Sequence, residues 1–298
     1  MAGYENKTVA VKVVATPLPR APWSATSIEN FSGCPLRYWW SKVQRWQTPT
    51  TVPLLVGTAV HGALEELLAL PTTDRTPVTG EPLLDQAVST ALAQVSDQPI
   101  DSAAVIEGAR RAMGAYWDTE DPQSVDVAPD GIEREVSADI NGLAFRGYID
   151  RVAVTDVGLR VTDYKTGAPK PKYWWSYWRQ QLLYAKAMSE CGEPVAEVEL
   201  LFLTSPRAVT RPVYPAAMQR AVDDLSRADD ERATMSTDHR WEARTGPLCN
   251  WCDFRMACPA KRSRAPEPGT PESDEILRQN GLWQRRIHPD GSVDGATS

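Results

Sequence analysis

Between Gly147 and Gly167 the chain reads GYIDRVAVTDVGLRVTDYKTG, and two carboxylates and a lysine lie in it at a spacing that allows metal chemistry. Two runs rich in Val, Ile and Leu flank a polar turn, the pattern of a β-hairpin. A turn centred between Asp156 and Val157 sets Asp150 directly across from Asp163, because the two are equally distant from that centre. Side chains alternate along a strand, so Asp163 and Lys165 share a face and Tyr164 points to the other. Opposed like charges destabilise a sheet, so the pair calls for a cation between them. A divalent metal with Lys165 beside it answers that need; an exposed hairpin with ordinary surface charges is the competing reading.

The elements around the hairpin bear on that choice. Gly57 to Leu70 carries Val60, Ala63, Leu64, Leu67 and Leu68 at helical spacing, and His61 sits at the edge of the apolar stripe. Magnesium accepts carboxylates and water, and manganese also tolerates imidazole. His61, Asp150, Asp163 and the backbone carbonyl of Tyr164 would make a small open coordination sphere completed by water. Lys165 then suits phosphodiester hydrolysis, where charge growing on phosphoryl oxygens needs an ammonium and water needs positioning. Gln180 and Tyr184 are four apart on an expected helix, so they share a face and could reach the substrate backbone or position Lys165.

A second constellation lies near the C-terminal end. Cys249, Cys252 and Cys258 are spaced C-x2-C-x5-C and followed by Pro259, and Cys34, also before a proline, is the best candidate for a fourth thiolate. Four thiolates suit zinc or an iron-sulfur cluster. Zinc fingers usually offer two close pairs, whereas one distant Cys with a tight triplet is more like a cluster site. Such a cluster would staple the N- and C-terminal segments together.

The remaining pattern predicts the frame. Thr26 and Glu29 have capping-box spacing for a helix start, and Cys34-Pro35 interrupts or restarts that helix. The stretch PTTDRTPVTGEP ends the His61 helix, and a second helical region spans about Leu83 to Trp117 in two pieces around Gln98-Pro99. Strands over Glu133–Ile140, Leu143–Val154 and Leu159–Lys165, with Asn141-Gly142 as a tight turn, form an antiparallel meander. A helix ending at Gly192, strands over Glu197–Thr204 and Ala208–Tyr214, and a helix from Pro215 to about Met235 complete an α/β core with a mixed sheet. Residues 1–23 read as an arm, 24–262 as the main domain and 263–298 as a mostly disordered tail.

These residues resemble a known family. GTAVH, GYID, DYKTG and QQLLY, in this order, are similar to the PD-(D/E)xK nuclease superfamily in its RecB-like exonuclease branch. Cys34 with the C-x2-C-x5-C-P run resembles the iron-sulfur members, namely the fourth family of CRISPR-associated proteins and AddB-type nuclease domains. The resemblance implies a restriction-endonuclease-like α/β core, a central mixed β-sheet flanked by helices, and a 4Fe-4S cluster on Cys34, Cys249, Cys252 and Cys258. It implies Mg2+ or Mn2+ on His61, Asp150, Asp163 and the Tyr164 carbonyl, with Lys165 catalytic and Gln180 and Tyr184 assisting. The family more often has Leu after the motif glutamine; here Gln181 follows, leaving open which of the two points inward. The helicase part of the larger relatives is absent, so a stand-alone nuclease is expected.

Lys170, Lys172, Trp174, Trp175, Trp178 and Arg179 interleave cations with rings, which suits single-stranded DNA, where bases stack and cations follow phosphates. The alternative is that the rings pack the core. Tyr38, Trp39, Trp40, Lys42 and Arg45 could extend the same path. A net charge of -7 excludes a protein coated in basic surface but leaves 32 Lys and Arg for a local groove. Apolar and charged shares of 42% and 24% are those of an ordinary globular protein, and the short run from Val9 to Val14 fits neither a signal peptide nor a membrane span. A cytoplasmic location is therefore expected, in a bacterial cell or in the host of a phage. The expected function is DNA exonuclease action on single strands or ends. A non-catalytic adaptor of a recombination or CRISPR adaptation complex, working with proteins of that complex, and a zinc protein centred on its cysteines are the rival readings.

Overall fold

The structure, a computed structural model, describes residues 7–19 and 21–284. In chain order its elements are β1 (Thr8–Lys12), α1 (Ala25–Gly33), α2 (Pro35–Tyr38), β2 (Trp46–Gln47), α3 (Val52–Ala69), α4 (Pro77–Ala93), α5 (Ser102–Thr119), β3 (Val127–Ile140), β4 (Leu143–Thr155) and β5 (Gly158–Lys165). There follow α6 (Trp174–Glu190), β6 (Val195–Phe202), β7 (Arg207–Pro212), α7 (Pro215–Thr237), β8 (Arg240–Arg244), α8 (Pro271–Gln279) and β9 (Trp283–Gln284). The chain divides into two compact units, Thr50–Asp223 and a second made of Met1–Pro49 with Asp224–Ser298.

The Thr50–Asp223 unit is built on a mixed five-stranded sheet of order β3-β4-β5-β6-β7, in which only β5 and β6 run parallel. Parallel neighbours need a crossover, and α6 supplies it. The first hairpin closes at Asn141 and Gly142 with φ of 54° and 80°, the left-handed pair that a two-residue turn between twisted strands requires. Leu201 and Leu203 join Tyr164 in one core with the apolar stripe of α3, including Val60, Ala63, Leu64 and Leu67, and with residues of α4 and α5. Phe202, pointing the other way, meets Trp174 and Tyr177 of α6 at 5.9 and 6.2 Å. The sheet is thus covered on both faces.

Two helix boundaries differ from the sequence reading. Residues expected as a linker, Pro77 to Pro82, form the start of α4, because Thr76 and Thr79 make a reciprocal cap and Pro77 falls in the first turn, where a missing N–H costs nothing. α3 likewise starts earlier than expected, at Val52 after Thr51, with a proline in its first turn. It is long and apolar enough to cross a membrane, and Ala59, Val60, Ala63, Leu64 and Leu67 are at most 1% exposed in the core.

In the other unit β1 pairs with β8 and β2 with β9. α1 is capped two residues before the expected Thr26: Ser24 Oγ accepts from Ser27 N at 3.2 Å and Ser27 Oγ accepts from Ser24 N at 2.8 Å, so a second serine replaces the expected glutamate. Cys34 ends α1 and opens α2, and a π-helical turn follows over Trp39–Val43. Tyr38, Trp39 and Trp40 are 3%, 0% and 1% exposed, with Tyr38 stacked between Trp23 and Trp241 and Trp40 stacked on Phe254 at 5.1 Å. They are core rings and present no path to a strand, which corrects that part of the expectation. The expected disordered tail also carries structure: Thr270 caps α8, and Leu277 and Leu282 are buried. Two well-placed leucines outweigh a polar composition there; the tail beyond Gln284 lies outside the described residues.

Candidate active site

The hairpin register runs from Thr155 opposite Gly158 to Arg151 opposite Thr162, and its next step sets Asp150 against Asp163. Beyond that point the strands separate into a site fed by five elements, α3, β3, β4, β5 and α6. From α3, His61 Nε2 lies 3.0 Å from the Tyr164 carbonyl oxygen and Nδ1 lies 3.5 Å from Asp150 Oδ2. The same Asp150 oxygen accepts from Tyr164 N at 2.8 Å. From β3 comes Glu133, a residue the sequence reading placed only at the start of a strand. One ligand atom each of His61, Glu133 and Asp150 lies within 4.8 Å of the others. Glu133 reaches this position because β3 bulges: between Val127 and Ile132 it advances five residues while β4 retreats two, from Ala153 to Arg151. Asp130 and Glu133 take left-handed φ of 51° and 42°, and a Cβ at Gly131 would stand 2.5 Å from the Val152 carbonyl oxygen. A groove of about 550 Å³ lined by Pro53, Gly57, Thr58, His61, Glu65, Glu133 and Thr166 opens beside these donors.

Asp163 belongs to a second, contiguous set. Lys165 Nζ lies 2.7 Å from Asp163 Oδ2 and donates to Oδ1 at 3.0 Å and to Gln180 Oε1 at 3.3 Å. Gln180 Nε2 donates to Asp163 Oδ1 at 3.0 Å and to the Tyr184 hydroxyl at 3.4 Å. Gln180 is therefore the inward glutamine. Gln181 is 0% exposed, and its buried amide has no hydrogen-bond partner among the described residues. Glycine opens the GYID segment for a packing reason: a Cβ at Gly147 would fall 2.4 Å from Tyr184 Cε1, so only glycine lets that ring lie against β4.

The electrostatics fit a cation. Burial pulls His61 down, but the carboxylates of Asp150, Asp163 and Glu133 outweigh it and push its pKa up to about 9. Burial, with the charge of Asp150 added, pushes Glu133 up to about 7. Asp163 is raised by burial against the pull of Lys165. Carboxylates that resist ionisation beside an imidazole that has captured a proton are the signature of donors gathered without enough positive charge. Imidazole nitrogen, carboxylate and carbonyl oxygens are the donor chemistry that manganese accepts, and the oxygens suit magnesium.

Beneath the site a buried network supports the strands. Arg151, 1% exposed, donates to Glu120 at 2.6 and 2.8 Å, to Thr162 Oγ1 at 3.2 Å and to Glu199 at 3.2 Å, with its guanidinium 5.7 Å from the Tyr164 ring centre.

The aromatic run is arranged differently from expectation. Trp178 and Arg179 are 5% and 7% exposed, so they are packed inside and offer no face to DNA; the turn of α6 that bears them faces the sheet. Trp174 and Trp175 are half-buried, while Lys170 and Lys172 are exposed.

In the second unit Cys34, Cys249, Cys252 and Cys258 line one small cavity of about 30 Å³ together with Arg37, Arg255 and Lys261. Burial pushes the Cys252 and Cys258 thiols up to about 11. Among the described residues no three cysteine sulfurs lie within 4.8 Å of one another. Cys191 is exposed, with its thiol 3.7 Å from the Ser137 carbonyl oxygen.

An α/β core with a mixed five-stranded sheet that gathers acidic residues, a lysine and a glutamine at one hairpin is the design of a nuclease core. The profile of the PD-(D/E)XK nuclease superfamily matches residues 22–259, and the chain belongs to that superfamily. The crystal structure of a candidate exonuclease from Eubacterium rectale shares the fold, with a TM-score of 0.53 at 13% identity over 83% of this chain and 89% of that one. A 54-residue stretch is 46% identical to the Gene 69 protein of Mycobacterium phage D29, covering 17% of this chain and 20% of that protein's length. The match therefore spans about a fifth of that relative.

Proposed function

We propose that this chain is a divalent-metal-dependent DNA exonuclease acting on single strands or DNA ends. The observation that carries the reading is the Lys165 ammonium held between Asp163 and Gln180, next to the His61, Glu133 and Asp150 donors. His61, Glu133, Asp150, Asp163 and the Tyr164 carbonyl would hold Mg2+ or Mn2+. Such an ion supplies an acidified water and neutralises phosphoryl charge. Lys165 places a second positive charge where the scissile phosphate enters, and Asp163 and Gln180 fix its position so that little reorganisation is needed. Tyr184, its ring seated on Gly147, holds Gln180 from behind.

We infer that Cys34, Cys249, Cys252 and Cys258, which line one cavity, would hold a 4Fe-4S cluster rather than a single zinc ion. One distant Cys with a tight C-x2-C-x5-C triplet favours a cluster, because zinc sites usually offer two close pairs. Arg37, Arg255 and Lys261 would offset the negative charge of four thiolates. The order of the GTAVH, GYID, DYKTG and QQLLY motifs supports our further reading of kinship with AddB-type and CRISPR-associated nucleases, a main domain over 24–262, a cytoplasmic setting, and work beside recombination or adaptation proteins.

The test is digestion of 5'- and 3'-labelled single and double strands with Mg2+, Mn2+ or chelator. Stepwise, metal-dependent shortening from one end is expected and would give the polarity. Binding of DNA without cleavage under any metal would move the chain to the adaptor reading.

A further inference from the structure

Each tryptophan of the YWWSYW run already has an arginine over one face, which leaves less ring for a base to stack on. Arg211 lies 4.6 Å over Trp178, Arg220 4.0 Å over Trp175 and Arg207 6.0 Å over Trp174. Trp174 and Trp178 also stack on each other at 5.8 Å. Register explains the arrangement. Arg207, Val209 and Arg211 of β7 pair with Phe202, Leu200 and Val198 of β6, so the two arginines leave the sheet on the apolar face that α6 covers. Since β7 is an edge strand, nothing in the sheet lies beyond it, and the two side chains fold over the helix's tryptophans.

The carboxylates on β6 take no part. Glu197 is bonded to Arg160, and Glu199 to Arg151, Thr162 and Thr210. Asp223, one turn beyond Arg220, accepts from Gln219. Among the described residues none of the three guanidiniums lies within ion-pair distance of a carboxylate, yet the protein carries a net charge of -7. All three are exposed. The row also leads to the site: Lys165 sits 5.4 Å over Tyr177, and Tyr177 and Trp174 pack on the same Phe202.

Unpaired cations on an acidic protein, each held over a ring, call for an anion of extended form. We propose that Arg207, Arg211 and Arg220 form a rail for the sugar-phosphate backbone of a DNA strand, leading it to Lys165 with no base stacked on the tryptophans. The proposal rests on the nuclease reading and replaces base stacking by backbone recognition. Residues four apart on a strand are about 13 Å apart, so the two β7 arginines would engage phosphates some nucleotides apart. The tryptophans restrict guanidinium motion, and because the contacts ignore bases the rail reads no sequence.

The test measures oligonucleotide binding by fluorescence anisotropy against NaCl concentration, with Ca2+ in place of the active metal. Each phosphate contact on a single strand contributes about 0.7 to the slope of log K against log salt. The R207Q/R211Q/R220Q variant should lower the slope by about 2 and the affinity by at least about tenfold at 0.1 M salt. R207K/R211K/R220K, which keeps the charge, should retain the slope. An oligomer of abasic residues should bind the wild type within about threefold of oligodeoxythymidine, since base stacking would otherwise contribute about 1–3 kcal/mol per base. Hydrolysis of bis(p-nitrophenyl) phosphate, too short to span the rail, should be equal in wild type and the Gln variant. An unchanged Gln-variant slope, equal loss in the Lys variant, or a collapse of abasic binding overturns the rail while leaving the nuclease reading intact. A wild type that neither binds DNA nor hydrolyses the small ester overturns both.

Discussion

In the Thr50–Asp223 unit the donors hold one another: Asp150 touches His61 and the Tyr164 amide, and Asp163 touches Lys165 and Gln180. In the other unit the four cysteines surround a common cavity, but Cys34 points its thiol at the Glu242 carbonyl oxygen at 3.9 Å, and Cys249 accepts from Gly246 N at 3.4 Å. One centre is organised by hydrogen bonds among charged groups carried on a sheet. The other is lined by thiols on short helices and loops, which have no strong bonds to make to each other. Charged donors can be preorganised by protons and by a lysine, so their geometry stands without an ion. Neutral thiols such as those of Cys252 and Cys258, which burial holds protonated, gain structure chiefly from what they bind. Removing a donor should therefore abolish chemistry in the first unit and stability in the second.

The largest expected effect separates the two centres. Asp163→Ala or Lys165→Ala should lower digestion of labelled linear DNA by about 10²–10³-fold, the loss typical of removing one preorganised electrostatic group, and leave visible absorption untouched. Full activity in either variant would falsify the assignment of the site. Cys34→Ser should do the reverse: purified protein loses absorbance near about 400 nm, expected of iron-sulfur centres, and soluble yield falls. Metal analysis of the wild type decides the chemistry, since zinc without iron would remove the cluster.

Glu133 sharpens the comparison, because a bulge and not a motif delivers it. Glu133→Gln should weaken Mn2+ binding by about 10–100-fold in calorimetry, the range for groups that hold or orient a metal site; unchanged affinity would leave Glu133 a bystander. A smaller effect follows from its proton. A group whose folded pKa is raised adds stability below its unfolded pKa and loses it as pH rises through the folded one. For Glu133 that window runs from 4.5 to about 7, and for His61 from 6.5 to about 9. Chelated protein should therefore melt at progressively lower temperature from about pH 5 to pH 9, and Mn2+ should raise the Tm most at the alkaline end. A flat profile in chelator would contradict the crowding of charge at this centre. The smallest change concerns Gln181, whose buried amide has no partner among the described residues. Gln181→Leu should stabilise the protein by up to about 1 kcal/mol, the scale of an unmade buried hydrogen bond, at unchanged activity. A loss of activity would show that the wrong glutamine had been placed at the site.

Much of this was legible in the chain. The carboxylate pairing followed from counting outward from a turn, because antiparallel register leaves no freedom once the turn is located. The stripe Val60, Ala63, Leu64, Leu67 and Leu68 announced the helix that carries His61. Other features depend on distant partners and left no local mark. Trp178 and Arg179 read as a binding surface because exposure is decided by the sheet beneath α6. α8 was hidden by its polar composition, and the cap of α1 by a serine pair that imitates a glutamate box two residues early.

The sequence by itself determined the donor types, their order and the hairpin that opposes Asp150 to Asp163, since alternation and turn position are local properties. Only the tertiary structure decided that Glu133 joins them, that Gln180 and not Gln181 faces Lys165, and that arginines from β7 and α7 lie over the tryptophans of α6. Each of these turns on a bulge, a helix rotation or an edge strand, and packing between residues far apart in the chain sets all three.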